Sequence, residues 1–165
     1  MPVPPELFVA GMRLHAAGVT VVTTVHRGRP AGLTATSVCS VSAEPPQLLV
    51  CVNRAADANA PIRASGRFCV NVLAAEQHAL ADRFAGRLGH VGAERFEGAG
   101  WTRLVTGAPV LEGCRAAFDC TLAAALEAGT HTVFVGLVEA VRLRPELAPL
   151  VYHEGEYGLV AQLSG

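Results

Sequence analysis

Hydrophobic and polar residues alternate along much of the chain, and the dominant period is that of β-strands. Residues 19–25 form a β-branched run, residues 33–43 an uncharged alternating run, and residues 47–52 a short apolar run. The corner Glu44-Pro45-Pro46 separates the last two runs, because proline has no N–H for a strand ladder and restricts the residue before it. A turn at residues 26–30 predicts that the first two runs are antiparallel neighbours.

Further strand signals follow in the second half of the chain. Residues 67–73 alternate, with Asn71 in an otherwise apolar run, so a buried Asn71 is expected to be a satisfied structural amide. Residues 114–127 contain alanines that favour helix, but their alternation leads through a turn at Gly129 into residues 131–138, which predicts a long β-hairpin. The last two predicted strands are residues 150–152 and 157–160.

Three segments have the longer period of short helices. The first presents one apolar face, and Gly18 is expected to end it. The second is expected to end at Gly66, and the third leads into a glycine-rich loop, residues 86–92, of the kind that often closes over a ligand. The predicted helices are residues 6–17, 60–65 and 74–85. Residues 101–110 are irregular, with room for one short strand.

The element order predicts a mainly β fold with short helices. About seven closely spaced strands indicate a small antiparallel barrel that is closed or nearly closed. No internal repeat, low-complexity tract or linker divides the sequence, and a length of 165 residues suits one domain with a substantial core. We therefore expect a single domain over residues 1–165.

The amino-acid composition favours some classes of binding partner over others. The chain is 51% hydrophobic and only 16% charged, which favours a buried subunit interface. A formal net charge of -1 and an aromatic content of 5% give no basis for nucleic-acid or anionic-membrane binding. The first 18 residues lack a signal-peptide pattern, and no apolar run is long enough to span a bilayer, so a cytoplasmic protein is expected.

Common catalytic constellations are missing from the sequence. The five cysteines have no C-x-x-C spacing and are expected to be small buried hydrophobic residues. None of the six histidines lies at metal-ligand spacing from a second ligand, so no metal site is predicted. There is also no G-x-S-x-G elbow and no P-loop. An enzyme with this sequence would take its reactivity from an organic cofactor.

Short hydroxyl side chains in residues 33–43 provide the candidate binding surface. They lie beside accessible backbone, so a flat polar ligand could approach closely and find both main-chain and side-chain partners. An ordinary threonine- and serine-rich sheet would have the same composition, because β propensity favours threonine. The hydroxyl residues are Thr34, Thr36, Ser37, Ser40 and Ser42.

Seven short motifs, in order and at ordinary spacing over about residues 13–160, resemble the short-chain flavin reductase family. They are GVTVVTT (18–24), GLTATS (32–37) with SVS (40–42) and PP (45–46), VN (52–53), FCVNVL (68–73) and GTHTVFVG (129–136). Members of this family are the reductase components of two-component flavin-dependent monooxygenases. The resemblance implies a homodimeric split β-barrel with the flavin-reductase-like FMN-binding fold. It also implies reduction of FMN or FAD by NADH or NADPH, and delivery of reduced flavin to a partner monooxygenase.

The resemblance also assigns site residues. The flavin ring and ribityl chain would contact Thr34, Ala35, Thr36, Ser37, Val38 and Cys39, with Val52 and Asn53 beside them. The phosphate side would be held by Ala58 and Asn59, where the family often has a serine or threonine at the latter position. Arg83, Phe84 and the loop of residues 86–92, including Gly89 and His90, would cover the phosphate or adenine end, and Tyr157 could close the pocket. His131 would face the nicotinamide as the catalytic residue.

Some of these residues also have a simple structural explanation, and other functions are possible for the same fold. His131 could be a solvated edge-strand histidine, and Arg83 a solvated helix charge. A non-catalytic split-barrel protein that binds flavin or haem is a second functional class, because fold does not fix function. An activity like that of pyridoxamine-phosphate oxidase has less support, since basic residues are sparse in residues 32–53. The choice of FMN or FAD, of NADH or NADPH, and of partner oxygenase stays open, as does whether flavin is tightly bound or diffusible.

Overall fold

A seven-stranded antiparallel sheet forms most of the structure, a computed structural model that describes residues 1–163. The helices are α1 (Pro5–Arg13), α2 (Asn59–Ser65) and α3 (His78–Phe84), with 3₁₀ turns at Ala75–Gln77 and Gly92–Phe96. The strands are β1 (Ala17–Gly18), β2 (Thr20–His26), β3 (Arg29–Ala35), β4 (Val38–Ala43), β5 (Pro46–Asn53), β6 (Arg67–Val72), β7 (Trp101–Arg103), β8 (Pro109–Leu111), β9 (Ala116–Ala128), β10 (His131–Leu143), β11 (Val151–His153) and β12 (Glu156–Gly158).

The large sheet has the order β3-β2-β6-β9-β10-β5-β4, and smaller sheets β1-β11-β12 and β7-β8 pack beside it. The predicted mainly β fold is confirmed, and the sheets are not closed into a full barrel. The predicted hairpin over the alanine-rich segment is also confirmed, as β9 and β10 with a turn at Gly129.

Thr36 and Ser37 join the two edges of the large sheet. Ala35 makes the last pairing of edge strand β3, with Thr20, and Val38 makes the first pairing of the opposite edge strand β4, with Val50. Consecutive Cα atoms are about 3.8 Å apart, so the two edges must come within roughly 11 Å of each other at this link. The prediction of one continuous strand over residues 33–43 was therefore wrong.

The core has two parts, one on each face of the sheet. Strand alternation distributes side chains between them, so that Val22 and Val70 belong to one cluster while Val21 and Cys69 belong to the other. Asn71 is fully buried in this core. Its Nδ2 donates to the Val21 carbonyl at 3.0 Å and its Oδ1 accepts from the Leu111 N–H at 2.8 Å. The expected satisfied amide is confirmed.

Helix α1 lies apart from this core. It ends at Arg13, and Gly18 belongs to β1, so the predicted helix end at Gly18 was wrong. The helix is tied to the β11–β12 turn by two hydrogen bonds of 2.9 Å, from Arg13 Nη2 to the Glu154 carbonyl and from the Glu154 N–H to the Arg13 carbonyl. Its apolar side chains stay largely exposed; they are Leu7, Phe8, Val9 and Met12.

Smaller corrections concern the chain ends and the cysteines. The last strand is Glu156–Gly158 and not 157–160, and the third helix begins as a 3₁₀ turn. Cys69, Cys114 and Cys120 are buried as expected, but Cys51 is half-buried and Cys39 is exposed. Within residues 1–163, no helix has the length and apolar character needed to cross a membrane.

Gly136, in the middle of β10, lies where neighbouring side chains leave no room for a Cβ atom. It pairs with Leu48 on one side and Leu122 on the other, next to a register shift in the β9–β10 ladder. A Cβ at this position would lie 2.5 Å from Phe68 Cζ and 2.8 Å from Cys120 Cβ, both of which are buried. Glycine is therefore required here by space.

We expect Gly136→Ala to lower the free energy of unfolding by about 1–3 kcal/mol, because an extra methyl group in a packed core forces its neighbours to shift. Urea denaturation monitored by circular dichroism measures this change. Gly158→Ala is the matched control, because a Cβ there meets nothing within 4 Å. Equal stabilities of the two variants would contradict the expectation.

Candidate functional site

Three adjoining cavities form a groove where the two edges of the sheet meet. The largest, of about 440 Å³, lies between residues 36–39 and helix α1. It shares Thr36 and Tyr152 with a middle cavity of about 180 Å³. The middle cavity shares Thr34 and Ala85 with an end cavity of about 240 Å³. These shared residues make one elongated site, called the groove below.

The floor of the groove is exposed backbone. The N–H groups of Thr36 and Ser37 have no acceptor among residues 1–163. The Val38 N–H turns back to the Thr36 carbonyl at 3.0 Å, and the Ser37 hydroxyl donates to the Cys51 carbonyl at 2.9 Å. Residues with two main-chain donors left without a partner in residues 1–163, and with short side chains, therefore line a cavity large enough for a flat aromatic ligand, and this arrangement fits a flavin ring.

Three further lining residues of the middle cavity, Arg87, Tyr152 and Tyr157, form a cluster with Asp82, called the Arg87 cluster below. Arg87 Nη1 donates to Asp82 Oδ1 at 2.8 Å, and Arg87 Nη2 donates to the Tyr152 hydroxyl at 3.0 Å. The Tyr157 hydroxyl donates to the same Asp82 oxygen at 2.9 Å. The guanidinium carbon lies 5.6 Å from the Tyr152 ring centroid and 5.8 Å from that of Tyr157.

Two members of this cluster, Tyr157 and Arg87, hold their protons firmly. Burial, and after it the hydrogen bond to the Asp82 carboxylate, raises the pKa of Tyr157 to about 12. Hydrogen bonds to Tyr152 and Asp82 raise the pKa of Arg87 above its ordinary value. At neutral pH the phenol is therefore neutral and the guanidinium charged.

The far end of the groove is fixed by Arg95 and an aromatic cluster. Arg95 Nη1 donates to the Gly32 carbonyl at 3.1 Å and its Nε donates to the His90 carbonyl at 3.0 Å. Phe84 lines the end cavity. Its ring centroid lies 5.0 Å from that of Phe96 and 5.7 Å from that of Trp101.

The structure brings together eight of the predicted site residues. Of these, Thr34 also ties β3 to α3, because its hydroxyl donates to the Ala81 carbonyl at 2.6 Å. The predicted residues that line the groove are Thr34, Ala35, Thr36, Ser37, Val38, Cys39, Phe84 and Tyr157.

Three predicted contact residues have buried side chains: Val52, predicted beside the flavin ring, and Ala58 and Asn59, predicted for the phosphate side. Val52 and Ala58 are fully buried in the core. Asn59 is buried as well, and its Nδ2 donates to the Val52 carbonyl and the Thr132 hydroxyl, both at 3.1 Å. These three side chains line none of the cavities described above.

Residues of the third helix and the glycine-rich loop divide between two surfaces. Arg83 donates to the Glu97 carbonyl and lines a separate cavity of about 400 Å³ on the other side of α3. Gly89 and His90 lie in the loop without lining the groove. The loop reaches the groove through Arg87 instead.

His131 and Asn53 are directly opposite each other at the ends of β10 and β5. The Asn53 Oδ1 accepts the Ala55 N–H at 2.9 Å, and His131 Nδ1 lies 2.9 Å from the Thr130 hydroxyl. Neither side chain lines the groove of this chain.

Sequence reasoning placed Tyr157 and the loop that contains Arg87 at the ligand, but it missed Asp82, Tyr152, Arg95 and the contribution of α1 to the largest cavity. The available signal for Arg87 was a single arginine among the loop glycines, whereas the tyrosines that flank it are distant in sequence. Phe8, Val9 and Met12 of α1 line the largest cavity, and their apolar periodicity was visible. Within the part of the chain described here, no three histidine, cysteine or acidic side chains converge as metal ligands.

Comparison with known proteins finds a family model and relatives that match most of the chain. Residues 12–161 match the model of the flavin reductase like domain. The FMN reductase (NADH) RutF 2 of Methylorubrum extorquens strain PA1 is 52% identical over 126 residues, which cover 76% of this chain and 72% of that protein.

Two solved structures extend the similarity over the whole fold. The NADH:FAD oxidoreductase SgcE6 of Streptomyces globisporus C-1027 superimposes with a TM-score of 0.87 and 32% identity, covering 99% of each chain. BorF, the flavin reductase component of a bacterial two-component tryptophan halogenase, superimposes with a TM-score of 0.87 and 35% identity, covering 97% of this chain and 100% of BorF.

We expect the Tyr157 phenol to titrate near pH 12, because burial and the Asp82 carboxylate both oppose its ionisation. The chain has two tyrosines, so Tyr152→Phe isolates this one for a titration of absorbance near 295 nm. At pH 11 an ordinary phenol would be about nine-tenths ionised, and Tyr157 about one-tenth. The phenol's contribution to stability is complete below pH 10.0 and is lost as the pH rises through about 12.

Adding Asp82→Asn to the single-tyrosine protein should lower the Tyr157 pKa, since it removes the negative charge beside the phenol. Circular dichroism at each pH verifies that the protein is folded. A midpoint near 10 before that change would contradict the described cluster.

Proposed function

The chain belongs to the flavin reductase family, and on that premise we propose that it oxidises NADH and reduces FMN, with FAD as an alternative flavin. The observation that carries the proposal is the groove floor, where Thr36 and Ser37, whose backbone N–H groups have no partner within residues 1–163, line a cavity of about 440 Å³. The name of the RutF relative supports FMN and NADH, and that of SgcE6 supports FAD.

The chain's own residues would bind and orient the two ring systems. When bound, the flavin supplies the redox chemistry by accepting a hydride from the dihydronicotinamide. The transfer needs no protein acid or base, only stacked rings at near-attack distance. The N–H groups of Thr36 and Ser37 would hold polar ring atoms, and short side chains would let the ring lie close to the backbone. The apolar residues of α1 would exclude water from the cavity above.

His131 and the end of β5 keep their proposed roles. His131 would orient the nicotinamide, which is supported by its position at a strand end opposite Asn53. The main chain of Val52 and Asn53, with Ala58 and Asn59, would hold the adjoining part of the flavin. Arg83, Gly89 and His90 stay proposed contacts of the phosphate or adenine end.

We further propose that the chain is a single reductase domain that passes reduced flavin to a partner monooxygenase. The domain proposal is supported by the family match over residues 12–161 and by one large sheet running from β2 to β10. The partner proposal is supported by the name of BorF, a reductase component of a two-component system. A homodimer is supported by the apolar side chains of α1 that this chain leaves exposed.

Purified protein should oxidise NADH in the presence of FMN, seen as loss of nicotinamide absorbance at 340 nm. Parallel reactions with FAD and with NADPH establish which flavin and which donor are preferred. Flavin that stays bound through gel filtration without NADH oxidation would favour the non-catalytic class. A rate no higher than that without protein, for every pair of donor and flavin, would overturn the proposed activity.

Thr36→Phe should reduce FMN affinity and kcat/KM for NADH by about tenfold or more, because a large ring at the junction of two cavities would occupy the ligand's space. Flavin fluorescence quenching gives the affinity. Val105→Phe is the control, since Val105 is 72% exposed and lines no part of the groove. Unchanged binding by Thr36→Phe would place the flavin elsewhere.

Gel filtration with light scattering should give about twice the chain mass of 17.1 kDa. Leu7→Glu on α1 should shift the protein to a monomer, because a buried unpaired charge opposes association. Val105→Glu, which adds the same charge to an exposed turn, should leave the dimer intact. A wild-type mass near that of one chain would contradict the homodimer.

A further inference from the structure

We propose that Cys39 and Cys51 form a peroxide-sensitive pair of thiols on the wall of the largest cavity, and that their oxidation closes the groove to flavin. The inference rests on the proposed function, because it takes the flavin to lie in this cavity and the reaction to yield reduced flavin. It gives a regulatory role to two side chains that the sequence predicts to be small buried hydrophobic residues.

The first reason is where the strand pairing places the two thiols. In the β4–β5 ladder Cys39 pairs with Leu49, and the Cys51 N–H donates to the Ser37 carbonyl at 3.1 Å. Side chains two residues apart on a strand lie on one face of the sheet, so these four residues share a face. All four line the largest cavity, whereas Val50, between Leu49 and Cys51, is buried in the core.

The second reason is access from solvent. Cys39 is exposed and Cys51 is half-buried, whereas the other three cysteines of the chain are buried. Those three line none of the cavities described above. A small oxidant that enters the groove therefore meets the thiols of Cys39 and Cys51 before any other thiol of the protein.

The oxidant follows from the chemistry of the proposed reaction. Reduced flavin that no acceptor consumes gives two electrons and two protons to oxygen, which leaves oxidised flavin and hydrogen peroxide. The Cys39 thiolate then attacks one peroxide oxygen, so that an S–O bond forms, the O–O bond breaks and hydroxide leaves. The product is a sulfenic acid, which a thiol reductant converts back to the cysteine with release of water. Cys51 reacts in the same way with a second peroxide.

Strand geometry favours two sulfenic acids over a disulfide between the two cysteines. Cys39 and Cys51 are diagonal neighbours in the ladder, and the Cα atoms of such neighbours are about 7–8 Å apart. A disulfide usually joins Cα atoms that are about 4.4–6.8 Å apart. Oxidation therefore adds polar oxygens to a largely apolar cavity, beside the space that the flavin ring would occupy.

Mass spectrometry of the folded protein tests the site itself. Protein treated with hydrogen peroxide and then with dimedone, a reagent for sulfenic acids, should carry the label on Cys39 and Cys51. The buried cysteines are internal controls that should stay unlabelled until the protein is unfolded; they are Cys69, Cys114 and Cys120. FMN at ten times its Kd should slow labelling by about tenfold, because ligand and oxidant compete for one cavity.

Fluorescence quenching by FMN then measures the consequence of oxidation. Peroxide treatment, ended with catalase, should weaken FMN binding to the wild type by about fivefold or more, and dithiothreitol should restore it. The variant Cys39→Ser/Cys51→Ser, compared with itself before treatment, should keep its affinity. Adding Val105→Cys to that variant is the matched control, because it places an exposed thiol outside the groove. Oxidation of that thiol should leave FMN affinity unchanged, and circular dichroism verifies folding.

Turnover in air links the site to the reaction. With NADH, FMN and no acceptor for reduced flavin, the wild type should lose activity as peroxide accumulates. Catalase should prevent this loss, and Cys39→Ser/Cys51→Ser should not show it.

Labelling of the buried cysteines to the same extent as Cys39 and Cys51 would overturn the proposal, as would oxidised wild type that binds FMN as tightly as before. An equal loss of affinity in Cys39→Ser/Cys51→Ser would also overturn it, since another residue, such as Met12 in the same cavity, would then be responsible. The labelling arm needs no turnover. Selective labelling without any NADH oxidation would support the thiol site and count against the proposed function alone.

Discussion

The two-residue link between β3 and β4 is the constraint on which the rest of the structure depends. Strands that follow each other in sequence usually pair, but here they form opposite edges of a seven-stranded sheet. Thr36 and Ser37 can connect those edges only if the sheet curls until they nearly meet. The curl creates the split barrel, and the link itself is left with backbone N–H groups that no strand pairs. The site thus arises where the sheet fails to close.

A groove of this kind suits a reaction in which the ligands, and not the protein, supply the reacting groups. One wall is main chain with short side chains, and the other includes Tyr157 and Arg87, which keep their protons at neutral pH. Neither wall offers a poised general acid or base, and hydride transfer between two stacked rings asks for none. What this groove offers is its shape, two backbone N–H donors at Thr36 and Ser37, and a charged guanidinium at Arg87.

Much of the fold could be predicted because strand alternation and turn residues are local signals. The β9–β10 hairpin was predicted against the helix propensity of its alanines, since two long alternating runs with a glycine turn between them outweigh single-residue preferences. The split of residues 33–43 into two strands could not be predicted, because nothing in the local composition at Thr36 and Ser37 differs from the strand around them. The early end of α1 was missed for a similar reason.

The part of the candidate site that lies on one continuous stretch of chain could be predicted. The part that is assembled from residues distant in sequence could not. Residues 34–39 line the groove because the link is continuous in sequence. The Arg87 cluster draws on α3, a loop and two C-terminal strands, and only the folded chain brings these together. Asn59 illustrates the converse case, in which a polar residue that suggested ligand contact is used to bridge Val52 and Thr132.

The aromatic cluster at the far end of the groove has an optical consequence. Trp101 is the only tryptophan of the chain, and it packs against Phe84, a residue that forms part of the groove's surface. The emission of its indole overlaps the absorption of an oxidised isoalloxazine, so a bound flavin would quench that emission by energy transfer. The fluorescence of Trp101 would therefore report ligand binding in the groove without an added dye, because Phe84 separates the indole from the end cavity.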